Sequence, residues 1–156
     1  MGLSPSLPRI YLSPVTGHEG RNWPIAKWQE LERGLVGLGC ETLVGAFEPK
    51  PWASGEQLRS FLTPHFIGKM EPAHLIALLQ QVNLVISNDS GLAHVGGELN
   101  LPTVAICGGS HDGHAGFGWY HSVCVLQAPS RKIDDVAVTA VLETVKSIVE
   151  QSLARR

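Results

Sequence analysis

The sequence has little charge of one sign, few cysteines and no long apolar run, and each shortage removes a class of function. Twelve Lys and Arg residues against 14 Asp and Glu leave a formal net charge of −2. A nucleic-acid-binding surface needs a clustered positive field, so that class is set aside. A single nucleotide is a different matter, because one helix end and one or two basic groups suffice to hold it. The three cysteines, Cys40, Cys107 and Cys124, are odd in number and lie in or beside apolar runs. They read as reduced, buried thiols of a cytoplasmic protein rather than a disulfide framework. No apolar run approaches the roughly 20 residues that span a bilayer, so no transmembrane segment is expected. The opening MGLSPSLPRIYLSP sets prolines and an arginine where an export signal has its apolar stretch. Pro5 and the lack of a basic cluster also argue against myristoylation at Gly2.

Chemical signatures are missing too. No P-loop, no GxGxxG turn and no Ser-His-Asp order follows any strand, which argues against a kinase-type site, a dinucleotide fingerprint and a hydrolase elbow. His111, His114 and His121 with Asp112 raise the idea of a metal, but H-x2-H-x6-H fits no compact ligand motif. A glycine-rich loop over a ligand is the better reading of that stretch.

What is present is one folded α/β domain over residues 1–156, with residues 1–8 as a flexible lead. The chain is 44% hydrophobic and 17% charged, ordinary for a packed core. Short apolar runs predict strands at Arg9–Ser13, Glu41–Ala46, near His65–Gly68, and at Leu84–Ser87, Thr103–Cys107 and Ser122–Leu126. Between them, helical spacing predicts helices over Pro24–Leu38, Gly55–Leu62, Glu71–Gln81, Gly91–Leu99 and Asp134–Leu153. Such alternation, with near-continuous apolar strands, means a parallel sheet of about six strands covered on both faces, a Rossmann-like three-layer domain. Ligands of such sheets sit beyond the carboxyl ends of the strands. Thr16–Asn22, Glu48, Asp89–His94 and Gly108–His114 are therefore the candidate segments.

Within ISNDSGLAH, Asp89 or Ser90 can cap the next helix, and Gly91 leaves room for a ligand against the backbone. The helix-start amides favour a diphosphate, and His94 lies one turn in, within reach of a phosphate oxygen or leaving group. A capped structural helix with a half-exposed histidine explains the same residues. An N-capping Asp89 held by amides would be a weak base. In AICGGSH, Gly108-Gly109 offers a second amide-bearing turn, although a plain turn is the simpler reading taken alone. Arg21 follows the first strand, where a forked cation pairs well with phosphate. Lys27 is expected in solvent, and Trp23 and Trp28 in packing, with Trp23 able to border a base or sugar.

These residues resemble glycosyltransferase family 9, the ADP-heptose:lipopolysaccharide heptosyltransferases, and in particular the C-terminal half of that family. The likeness rests on GRNWPIAKWQELERGL, ISNDSGLAH and LPTVAICGGSH. The family's counterpart of the second segment is a D-[ST]-G-x-x-H stretch. The resemblance implies one half of a GT-B architecture, with no cofactor beyond a nucleotide-diphosphate sugar donor such as ADP-heptose, and inverting transfer. It implies a donor diphosphate and sugar site at Asp89, Ser90, Gly91 and His94, of which Asp89 and His94 stand as the catalytic pair. It also implies phosphate contact from Arg21, a glycine turn at Gly108 and Gly109, and a ribose-binding acid at Glu48 or Glu56. Two departures stand out. Gly96-Gly97 replaces the family's usual Ala-Ala, and no N-terminal domain with acceptor site and general base accompanies this half. The expected partners are accordingly a nucleotide sugar and either a separate N-terminal half or a second copy of the chain. The alternative is a non-catalytic nucleotide or nucleotide-sugar binding module with a regulatory or assembly role.

Overall fold

The computed structural model describes residues 7–45, 50–62, 70–109 and 116–154. Five strands form one sheet: β1 (Arg9–Ser13), β2 (Glu41–Val44), β3 (Leu84–Asn88), β4 (Thr103–Cys107) and β5 (Val123–Gln127). All neighbours are parallel, in the order β2-β1-β3-β4-β5. The sixth expected strand, near His65–Gly68, lies outside the described residues.

Helices α1 (Ile25–Gly37), α2 (Gly55–Arg59), α3 (Pro72–Leu79), α4 (Gly91–Glu98) and α5 (Val138–Ala154) complete the described regular structure with two short 3-10 turns. Strand side chains alternate between the two faces, which divides the core. Ile10, Leu12, Leu84, Ile86, Val104 and Ile106 pack with Trp28, Leu31 and Leu35 of α1 and Val141 and Val145 of α5. Tyr11 and Val85 face Leu75 and Leu79 of α3 and Leu92 of α4 on the other side. The result is three layers. Each fully buried aliphatic chain contributes about 1.5–3 kcal/mol. Against that stands the indole N–H of Trp28, buried with no partner, which costs about 1–3 kcal/mol.

Local signals explain most boundaries. Pro24 is the N-cap of α1 rather than its first turn. Gly39 just past the helix adopts φ +80°, the left-handed conformation that glycine takes without strain. Helix α2 starts on a complete capping box, with Ser54 accepting from the Gln57 amide and Gln57 accepting from the Ser54 amide. It is shorter than expected, as is α5, whose predicted start at Asp134 falls in the 3-10 turn Ile133–Asp135. Burial pushes the Tyr11 phenol up to about 12. The described residues include no helix long and apolar enough to cross a membrane.

Candidate functional site

In the order β2-β1-β3 the sheet reverses direction of winding between β1 and β3. A doubly wound sheet leaves its ligand crevice at that point, outside the strand ends. Two segments meet there: Pro14–Trp23 after β1, and Asp89–Gly91 after β3.

The first is folded on itself. The Asn22 carboxamide oxygen accepts from the Thr16 amide at 2.7 Å, and its nitrogen donates to the His18 carbonyl at 2.5 Å. The Thr16 hydroxyl donates to the His18 carbonyl and accepts from the His18 amide. Arg21 closes the 3-10 turn Glu19–Arg21 and is exposed. Trp23 is fully buried, edge-on to Trp28 with ring centroids 5.4 Å apart, and its indole N–H donates to the Val136 carbonyl. Packing is thus its main role, and the residue also lines a cleft at the strand ends. Lys27 departs from expectation. Its ammonium is not left to solvent but donates to the carbonyls of Asp134 and Val136, the latter at 3.0 Å.

The second segment opens α4. Ser90 is the N-cap by backbone position, yet its side chain caps nothing. Its hydroxyl instead shares a 2.9 Å hydrogen bond with Ser87, which also donates to the Asn88 carbonyl. Asp89 is one residue too early to cap, and its amide extends the sheet by donating to Ile106. The expected side-chain cap is therefore absent. Among the described residues no side chain accepts from the leading amides of α4. A Cβ on Gly91 would meet no atom within 4 Å. Among the described residues this helix start is therefore uncapped, and the dipole and N–H groups of such an end favour an anion.

His94 is half-buried and fixed by aromatic rings. It stacks on Phe117 at 4.5 Å and 29°, and meets Tyr120 edge-on at 5.8 Å. Tyr120 donates to the Glu98 carboxylate at 3.0 Å. Burial and that carboxylate raise the Tyr120 phenol above its ordinary range. Phe117 is buried against Ala93, Ala105 and Cys107. The expected loop over the ligand is thus packed structure at residues 116–120; His111, Asp112 and His114 lie outside the described residues. The same rings explain Gly96-Gly97. A Cβ on Gly97 would stand 2.5 Å from the Tyr120 ring, and one on Gly96 would stand 2.3 Å from the Thr103 hydroxyl.

The glycine turn after β4 behaves differently from expectation. A Cβ on Gly108 would collide with the Ile133 Cβ at 2.7 Å and the Ile133 amide at 2.8 Å. Gly109, at φ +93°, donates its amide to the Arg131 carbonyl at 2.7 Å. That amide is occupied by the protein. The turn instead forms one wall of a cleft of about 480 Å³ at the strand ends, with Glu19, Asn22, Trp52, Arg131 and Lys132 among its lining. Asp89 and His94 lie outside that lining. Glu56 is exposed in the first turn of α2, and Glu48 lies outside the described residues. His121 lines a separate cavity of about 410 Å³ at the amino ends of β4 and β5. Burial raises the thiols of Cys40 and Cys124, and no disulfide joins the three cysteines.

The sequence pattern did not single out three residues that build this site. Phe117 and Tyr120 hold His94, and Asn88 links the two segments. Its carboxamide oxygen accepts from the Trp23 amide at 3.0 Å, and its nitrogen donates to the Pro14 carbonyl at 3.1 Å. An asparagine ending an apolar strand was the available signal, because strands are poor in Asn and a buried amide must find partners.

Residues 4–145 match the family model described as glycosyltransferase family 9 (heptosyltransferase). Over 141 residues the chain is 27% identical to lipopolysaccharide heptosyltransferase 1 of Escherichia coli strain K12, covering 86% of this chain and 42% of that protein. The solved E. coli ADP-heptose lps heptosyltransferase II superposes with a TM-score of 0.79 at 23% identity, over 96% of this chain and 49% of that one. E. coli heptosyltransferase WaaC with ADP-2-deoxy-2-fluoro heptose superposes with a TM-score of 0.72 at 19% identity, over 91% and 45%. The chain spans less than half the length of each of these relatives.

Proposed function

This chain belongs to glycosyltransferase family 9, and we propose that it is the donor-holding, C-terminal half of a heptosyltransferase-like enzyme. The observation that carries the reading is the uncapped start of α4 at the winding reversal of the sheet, with Asp89-Ser90-Gly91 on one side and the Arg21 loop on the other. In this reading the diphosphate of a nucleotide sugar, of the ADP-heptose kind, lies on the α4 amides with Arg21 beside it. Two E. coli relatives support that choice of donor: one is named for ADP-heptose, and the other is solved with ADP-2-deoxy-2-fluoro heptose.

Inverting transfer would form a bond from the acceptor hydroxyl oxygen to the anomeric carbon and break the bond from that carbon to the diphosphate. The bonding pair leaves with the diphosphate oxygen. The α4 amides, Arg21 and His94 stabilise that charge, preorganised by the fold and by the Phe117 and Tyr120 rings. In this reading the charge is met without a cofactor. The acceptor proton must go to a base, and the acceptor must be held near the sugar carbon. The base and the acceptor pocket are assigned to an N-terminal half, supplied by a separate chain or a longer one. The lack of a disulfide among Cys40, Cys107 and Cys124 supports a reducing, cytoplasmic setting for the enzyme.

Calorimetric titration with ADP, UDP, GDP and ADP-heptose tests donor binding. ADP or ADP-heptose should bind, and Asp89→Ala and His94→Ala should each weaken binding several-fold; no binding of any of the four overturns the reading. Adding EDTA should leave binding unchanged. Transfer should appear only when an N-terminal half is added. The second reading is a non-catalytic nucleotide-sugar module. It predicts binding but no transfer even with that half present.

A further inference from the structure

We infer that Asn88 is a positioning residue that sets the separation of the two diphosphate-binding segments, a role that rests on the donor-binding reading above. Asn88 is fully buried at the end of β3, so it touches no ligand itself. Its one planar carboxamide holds both ends of the Pro14–Trp23 segment, accepting from the Trp23 amide and donating to the Pro14 carbonyl. Its backbone is equally constrained. Asn88 lies in register with Ile106, its carbonyl accepts from Ser87, and the next amide, of Asp89, donates to Ile106. The carboxamide therefore ties the Arg21 segment to the residue directly before Asp89-Ser90-Gly91.

The contact is not needed to fold either part. The Pro14–Trp23 segment is closed internally by Thr16 and Asn22, and the start of α1 is anchored separately by the Trp23 indole on Val136 and by Lys27. An aliphatic residue at position 88 would suit the apolar core of β3 but would leave the buried Trp23 amide and Pro14 carbonyl without this partner. A primary amide in this place is retained for the geometry it imposes: an anion bridging Arg21 and the α4 amides meets both only if their spacing is fixed. A nucleoside monophosphate, which presents one phosphate, needs less of that spacing than a diphosphate does.

The test compares ADP with AMP by calorimetry on the full chain, for the wild type, Asn88→Asp and Asn88→Leu. Aspartate keeps the acceptor for Trp23, but as a carboxylate it sets an anionic oxygen against the Pro14 carbonyl. That contact and burial both favour its neutral form, which is the shape of asparagine and can donate to Pro14 again. The titratable and charged groups of the two segments, His18, Glu19 and Arg21 on one and Asp89 and His94 on the other, are shared with the wild type, whose own pH profile is the reference. At pH 8, Asn88→Asp should lose tenfold or more in ADP affinity and less than twofold in AMP affinity. At pH 5.5 its ADP affinity relative to the wild type should return to near one, while Asn88→Leu stays weak at both pH values. Equal losses for ADP and AMP, unchanged ADP affinity in folded variants, or no recovery at pH 5.5 would each overturn the role. If Asn88→Asp unfolds at pH 8, titration upward from pH 5.5 decides: ADP release before the loss of circular-dichroism signal supports the role, and release only with unfolding refutes it. A wild type that binds neither nucleotide overturns the donor-binding reading and this inference with it. A wild type that binds while the variants bind alike overturns the role of Asn88 alone.

Discussion

The turn after β3 and the turn after β4 look alike as sequence, each an apolar strand ending in small residues with amides to offer. In the folded chain they are opposites. At Gly91 a side chain would enter open space, and the amides that start α4 have no side-chain cap. At Gly108 a side chain would strike Ile133, and the Gly109 amide is taken by Arg131. One glycine leaves room for a ligand and the other makes room for the protein. The difference is tertiary, since it depends on the 131–133 segment arriving from the far side of β5. It teaches that an amide-bearing turn is a binding site only when no other part of the chain reaches it first.

The largest effect should come from Gly108→Ala, which forces a methyl against backbone and should cost about 1–3 kcal/mol of stability in chemical denaturation. Gly91→Ala is its converse. With nothing near the new methyl, stability should hold or rise by about 0.4–1 kcal/mol, while ADP affinity falls by about tenfold, about 1.4 kcal/mol. Equal losses of stability in both variants would erase the contrast. Serines sharpen it further. Ser54→Ala removes a true capping hydroxyl and should cost about 1 kcal/mol. Ser90→Ala, at a position that looks as good in the sequence, should cost less than about 0.5 kcal/mol by thermal melting, because its hydroxyl bonds Ser87 rather than the helix. A loss at Ser90 as large as at Ser54 would mean that Ser90 caps after all and that the anion site is closed.

Much of the fold was legible because parallel strands buried on both faces announce themselves. RIYLS and TVAIC are read to the residue, and β3 gains only its final asparagine. The ISNDSGLAH segment was legible as a candidate site for the same reason, being polar where a strand ends. What sequence could not give was partnership across space. The capping hydroxyl of Ser90 was lost to Ser87, and Lys27 was taken from solvent by two carbonyls 107 and 109 residues away. The stacking of Phe117 on His94 joins two segments that only the packing of α4 against β4 brings together. Gly96-Gly97, a departure from the family pattern, turns out to be the space that Thr103 and Tyr120 occupy.

The hold of Trp23 and Lys27 on Val136 has a consequence for how the molecule assembles. These contacts span 109 to 113 residues of chain, so the segment bearing Arg21 cannot reach its final seat until the last crossover has formed. Contacts this distant in sequence carry a closure entropy that is met late and slows folding. A ribosome-bound chain that has emerged only as far as β4 already holds β1, β3 and the start of α4, yet lacks the strut that fixes the first loop. The first loop is thus seated only after the segment around Val136 has been made, and its final geometry reports that the domain has closed.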